Sequence, residues 1–209
     1  MKLIIEPNRL PRNKLETTSC GLACTELLLQ HLTHRQVNLN ESEVFWTTDI
    51  GKVLVKEGIS ACVVAGNSQL LKPFENIKVT TELSIALLLR LENILPIMIR
   101  KGYQSLLSFL FIGGVIKRKL ISTDIIESAI ARNLPVILCV DSQTINNDPS
   151  LTGGHFIIVA GSDDYNFGII NPGKNSFHIL SINKARLLYA CHLWGGWAVF
   201  VEENEFVVA

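Results

Sequence analysis

Three side chains of this 209-residue chain have the types needed for acyl transfer: Cys20, His155 and Asn171. Cys20 opens an apolar run in Thr17-Thr18-Ser19-Cys20-Gly21-Leu22-Ala23-Cys24 that reads as a helix. A thiol there faces unpaired N–H groups and the positive end of the helix dipole, and both favour thiolate. Far downstream, Gly153-Gly154-His155 begins a strand and Asn171-Pro172 ends the next one. Acyl transfer by cysteine needs a thiolate, an imidazole to pair with it and later protonate the leaving group, and a third group to orient the imidazole. One of each is present. Antiparallel pairing would bring His155 and Asn171 to the same end of a sheet. Gly21 and Gly153-Gly154 leave room for a substrate backbone, and the Cys20 N–H is a candidate oxyanion donor. Each feature alone has a structural explanation; their combination points to chemistry.

The elements that position these residues follow from periodicity and punctuation. Cys20 to Leu32 reads as a helix with apolar residues at 20, 23, 24, 27 and 28, and with Leu22, Leu29 and Leu32 on its other sides, so it is central and largely buried. A second helix starts with Thr47 or Thr48 as cap and runs to Lys56, before Gly58. Ile59 to Val64 reads as a strand. Leu83 to Leu95 is leucine-rich and helical, and Gly102 to Ile116 carries no charge but is too short to span a bilayer comfortably. We expect a buried helix pair or hairpin here, with a lipid-contacting or acyl-binding surface as the alternative. Residues 82–116 are also where a homo-oligomer contact or a hydrophobic partner is expected.

Ser122-Thr123-Asp124 caps a helix through Arg132, and Leu134 to Asp141 forms a strand. A polar loop, Gln143 to Thr152, precedes strands at 155–160, 166–170 and 176–180, with a turn at Ser162-Asp163-Asp164. A short helix from Ile182 to Tyr189 and a last strand, Trp197 to Glu202, follow. Helices first and an antiparallel sheet after them define an α+β class. The expected organisation is a single domain, 1–209, with a leucine-rich helical insertion at about 65–120.

Composition narrows the partners. Lysine plus arginine equals aspartate plus glutamate at 19 each, so no net field draws the chain to nucleic acid or to an anionic membrane. With 48% apolar and 18% charged residues, a well-buried core is expected. The N-terminal apolar run is too short for a secretory signal, which points to the cytoplasm. Five cysteines, at 20, 24, 62, 139 and 191, do not form a disulfide framework, and Cys62 and Cys139 sit in apolar strand runs as small hydrophobes.

Cys20, Cys24, His31 and His34 are rich in metal-ligand types, but Cys24 and His31 lie about 10 Å apart along a continuous helix, too far to share one tetrahedral ion. No metal or cofactor is expected. Asp163-Asp164 is explained by a turn, and no glycine-rich phosphate loop appears, so nucleotide cyclase chemistry is not expected. His178 reads as solvent-facing. Trp194-Gly195-Gly196-Trp197 packs beside the last strand or walls the cleft.

Ser19-Cys20-Gly21-Leu22-Ala23-Cys24, Gly154-His155-Phe156-Ile157-Ile158-Val159-Ala160-Gly161 and Asn171-Pro172 together resemble the papain-like superfamily. Within it the pattern is similar to the bacteriocin-leader-processing cysteine peptidases, and closest to the small guanylyl cyclase domain-containing proteins. The similarity takes in Phe45 to Ile50, Ser122 to Ile126, Pro135 to Asp141 and the tail near Ala198-Val199-Phe200-Val201, and omits roughly 65–120.

The resemblance implies a papain-like α+β fold, with an N-terminal central helix carrying the cysteine packed on a C-terminal antiparallel sheet carrying histidine and asparagine. It implies Cys20 as nucleophile, His155 as general base and acid, and Asn171 as orienting residue. The family's aspartate before the cysteine is Ser19 here, and its oxyanion-hole glutamine falls at Lys14. Asn13 is the nearest amide, so Asn13 and the Cys20 N–H are the expected oxyanion donors. The expected reaction is hydrolysis of a peptide or amide bond through a thioester acyl-enzyme, on a peptide or acyl substrate. The same triad serves acyl transfer to an amine, and the fold without chemistry serves as a binding module.

Overall fold

Val136 to Val140 and Phe156 to Ala160 are uninterrupted apolar runs without alternation, the pattern of strands covered on both faces. The computed structural model shows that arrangement. It describes residues 1–5, 19–35, 37, 39, 44–66, 97–172 and 177–202. Numbered over these residues, the helices are α1 (Cys20–Thr33), α2 (Thr47–Lys56), α3 (Ile97–Phe111), α4 (Thr123–Ala131), α5 (Ser142–Asn146) and α6 (Lys184–Leu193). The strands are β1 (Ala61–Ala65), β2 (Val115–Arg118), β3 (Val136–Asp141), β4 (Gly154–Ser162), β5 (Asn166–Pro172), β6 (Phe177–Asn183) and β7 (Trp197–Val201).

All seven strands join one sheet in the order β2-β1-β7-β3-β4-β5-β6. The class is α+β, but the sheet is not the purely C-terminal antiparallel one expected. β1 and β2 come from the first half of the chain and pair with each other in parallel, and β1 then pairs antiparallel with β7. β7, the last of the described strands in sequence, therefore sits between β1 and β3.

The helices divide by sequence. Cys24, Leu27 and Leu28 of α1, Ile50 and Leu54 of α2 and Phe109 of α3 form one core with Val63, Ile137, Phe156, Ile158 and Val199 of the sheet. Ile126 of α4, Ile145 of α5 and Leu187 of α6 form a second core with Val64, Leu138, Ile157, Val159 and Ala198 on the opposite face. The sheet is thus covered by helices on both faces.

Of the segment 82–116, the part that is described begins at Ile97. Its inward residues Leu106, Leu107 and Phe109 are core, whereas Ile97 and Phe111 are exposed. α3 supplies a helix in the second half of that segment, and the chain then turns at Gly113 and Gly114 into β2. The expected Leu83–Leu95 helix lies outside the described residues. Among the described residues no helix is long and apolar enough to cross a membrane.

Candidate functional site

α1 begins where it was expected to, and its cap explains why. Ser19 accepts the Leu22 N–H at 3.3 Å and donates to the Val44 carbonyl at 3.3 Å, tying the helix start to the segment before α2. A small hydroxyl caps here as well as a carboxylate would. Cys20 is thereby set on the first turn and is partly exposed, whereas Cys24 is fully buried one turn on.

The two thiols grip one residue of β4. The Phe156 N–H donates to the Cys20 sulfur at 3.4 Å, and the Cys24 thiol donates to the Phe156 carbonyl at 3.4 Å. α1 is thus locked in register with the strand that carries His155. Gly21 makes this contact possible, since a Cβ there would lie 3.1 Å from both the Phe156 ring and Val44. The room expected at Gly21 is thus taken up by the protein's own side chains, whereas a Cβ on Gly153 would meet nothing within 4 Å. A Cβ on Gly154 would run into the Trp194 indole, which leaves Trp194 packed beside the strand start.

Cys20, His155 and Asn171 come together. In the β4–β5 ladder Ile158 pairs with Ile170, so Asn171, one residue beyond, and His155, three residues before, share the opposite face as diagonal neighbours. His155 Nε2 lies 2.6 Å from Asn171 Oδ1. Asn171 Nδ2 donates to Asn146 Oδ1 at 2.9 Å, and Asn146 Nδ2 donates to the Ser142 carbonyl at 2.9 Å. The Ser142 carbonyl can only accept, so it orients the Asn146 amide, which orients Asn171. That leaves the Asn171 oxygen to accept a proton from Nε2 of His155. Nδ1 is then the ring nitrogen left to face Cys20.

Electrostatics follow from this pairing. Burial pushes the Cys20 thiol up, but its hydrogen bond to His155, the imidazolium charge and the Phe156 and Gly21 N–H groups outweigh burial and hold it below the ordinary thiol value. Burial pulls His155 down, but the bond to Cys20, the thiolate charge and the bond to Asn171 raise it above the ordinary imidazole value. The other thiols move the opposite way. Burial raises Cys24 well above its usual range, Cys62 to about 11 and Cys191 to about 12, and it raises Cys139 as well.

Asn13, the expected oxyanion donor, lies outside the described residues, as does Lys14. Among the described residues no group of three or more His, Cys, Asp or Glu side chains is placed to hold a metal ion. Asn146 was read as part of a polar loop and is instead the last residue of α5, held by the Asp141 cap, whose carboxylate accepts the Thr144 N–H at 2.8 Å. The only sequence signal for it is Asp141 followed three residues on by Thr144, a helix-start pattern. His178 faces Asn171 across the β5–β6 ladder and is exposed.

No protein-family model and no curated protein matches this chain.

Proposed function

We propose that this chain is a papain-like cysteine hydrolase that opens a peptide or amide bond through a thioester. The observation that carries the reading is the placement of the three side chains: the Phe156 N–H donates to the Cys20 sulfur at 3.4 Å, which sets the thiol beside His155, and His155 Nε2 lies 2.6 Å from Asn171 Oδ1; the lowered thiol and raised imidazole agree with it. A thiolate–imidazolium pair is what the first chemical step needs.

In that step the Cys20 thiolate attacks the substrate carbonyl carbon, and the carbonyl π pair moves to oxygen. The Cys20 N–H, in the first turn of α1 and without an intrahelical acceptor, favours this charge. As the tetrahedral species collapses, the C–N bond breaks and the amine takes the proton from His155. Water then gives a proton back to His155 as its oxygen bonds to the thioester carbon; the C–S bond breaks and the thiolate–imidazolium pair returns. Asn171 keeps the ring in place throughout. Replacing water by an amine gives acyl transfer with the same residues, and the apolar surroundings of Cys20 favour keeping that second reading. All five cysteines are unpaired, which supports a cytoplasmic setting.

The test is a burst experiment with 4-nitrophenyl acetate. The reading expects a stoichiometric burst of 4-nitrophenolate, an acetyl adduct mapped to Cys20, and loss of both in Cys20→Ala. A burst that survives Cys20→Ala, or an adduct on another thiol, overturns it.

A further inference from the structure

Beside Cys20 lies a cavity of about 480 Å3, within the range of roughly 300–1,000 Å3 typical of small-molecule sites. Its floor is one row across the sheet: Trp197 pairs with Cys139, and Cys139 pairs with Phe156. All three side chains belong to the core on the α1 side. The small Cys139 between two aromatics turns the row into a trough. Trp46 and α3 form the wall facing the sheet, where Gly102 again keeps the space open.

Apart from the Cys20 thiolate at its mouth, none of the described side chains lining the cavity is charged. Two of its four hydroxyls, those of Ser19 and Thr48, are engaged within the protein: Ser19 bonds to Val44 and Leu22, and Thr48 to Ser105 at 2.5 Å, while Thr47 and Tyr103 add the other two to a lining that is otherwise mainly aromatic and aliphatic. An extended peptide needs main-chain partners along its length. An alkyl chain needs none, and gains from every apolar contact.

Resting on the reading of Cys20 as an acyl-transfer nucleophile, we propose that this cavity receives the unbranched alkyl chain of a fatty-acyl group whose carbonyl carbon lies at the Cys20 sulfur. The substrate class is then an apolar acyl amide or thioester, and Cys139 and Gly102 set the chain length admitted.

The test compares iodoacetamide with N-hexyl- and N-decyl-iodoacetamide, each of which alkylates the thiolate: sulfur attacks the iodomethylene carbon and a C–S bond forms as iodide leaves. Rates at Cys20 are followed by mass spectrometry and divided by those of glutathione. The decyl compound should react at least about tenfold faster than the parent, with saturation, because the chain binds before reaction. Cys139→Phe and Gly102→Leu should each bring the decyl-to-parent ratio toward one. Gly102→Leu tests this even if Cys139→Phe misfolds, since a Cβ at 102 meets the Trp46 ring at 3.6 Å, an ordinary contact. A ratio near one in the unaltered protein, a ratio that Gly102→Leu leaves unchanged, or faster reaction with a leucyl-leucyl chloromethyl ketone overturns the proposal. The parent compound judges the nucleophile separately: Cys20 no faster than glutathione with iodoacetamide at mildly acidic pH overturns the acyl-transfer reading itself, whatever the ratio.

Discussion

Asn171 donates from its amide to the side-chain oxygen of Asn146 at 2.9 Å, so the residue that orients the imidazole is itself oriented. Asn146 belongs to α5, and Arg186 of α6 holds that helix by donating to the Thr144 carbonyl from Nη2 at 2.7 Å and from Nε at 3.2 Å. The histidine tautomer at one end of β4 therefore depends on the docking of two helices on the face of the sheet away from Cys20.

Asn146→Ala should slow iodoacetamide alkylation of Cys20 about three- to tenfold, the worth of one hydrogen bond of roughly 0.5–1.5 kcal/mol. Asn146→Asp keeps an acceptor for Asn171 and should recover most of the rate. A loss of melting temperature without any change in the pH profile of alkylation would make Asn146 merely structural.

The pH dependence of alkylation has a definite sign. Because Cys20 lies below the ordinary thiol value, its reactivity should persist to lower pH than that of glutathione. His155→Ala removes the main opposing interaction and leaves burial, so the alkylation midpoint should move upward, past that of a free thiol. For stability, the raised His155 contributes fully below the ordinary imidazole value and loses that contribution as pH rises through its folded value. The lowered Cys20 contributes above the ordinary thiol value and loses its contribution as pH falls through its folded value. Alkylation and urea unfolding followed across pH, in the unaltered protein and in His155→Ala, check both signs.

Two glycines beside the site should behave differently. Gly21→Ala presses a methyl group on the buried Phe156 ring and Val44 and should cost roughly 1–3 kcal/mol, read by urea unfolding. Gly154→Ala presses on Trp194, which is 43% exposed and has room to swing outward. There the expected result is a shift in tryptophan emission with a stability loss under about 1 kcal/mol.

Asp49 fastens the cavity wall. Its carboxylate accepts the Trp46 N–H at 2.8 Å, the Phe45 N–H at 3.1 Å and the Ser105 hydroxyl of α3 at 2.6 Å. Asp49→Ala leaves buried donors unpaired and should cost about 1–3 kcal/mol or more in urea unfolding. Ser105→Ala removes only the tie to α3 and should cost less.

Local signals were the legible ones. Ser19 before an apolar run marks the start of α1, and the Ser162-Asp163-Asp164 turn makes β4 and β5 a hairpin whose arithmetic brings His155 and Asn171 together. The start of α2 was misplaced because Thr47 and Thr48 look like caps, whereas Trp46 holds the cap position and Asp49 supplies the side-chain acceptor. Ser122 occupies the cap position of α4 but makes no side-chain cap bond. Long-range register was not legible. Nothing local says that Cys139 lies between Phe156 and Trp197, since that depends on β7 inserting beside β3. Non-alternating runs such as Val136 to Val140 did carry the two-sided cover, but an apolar run does not say which helices provide it.

The position of β7 has a consequence for biosynthesis. Cys20 leaves the ribosome well before the strand that closes the floor of the cavity beside it, which emerges some 180 residues later and is wedged between β1 and β3. Until Trp197 slides in beside Cys139, a nascent chain carries a thiol without a pocket. Closure of the cavity is then a nonlocal pairing event, slow by the standards of the helices, and any chemistry proposed for Cys20 waits for it.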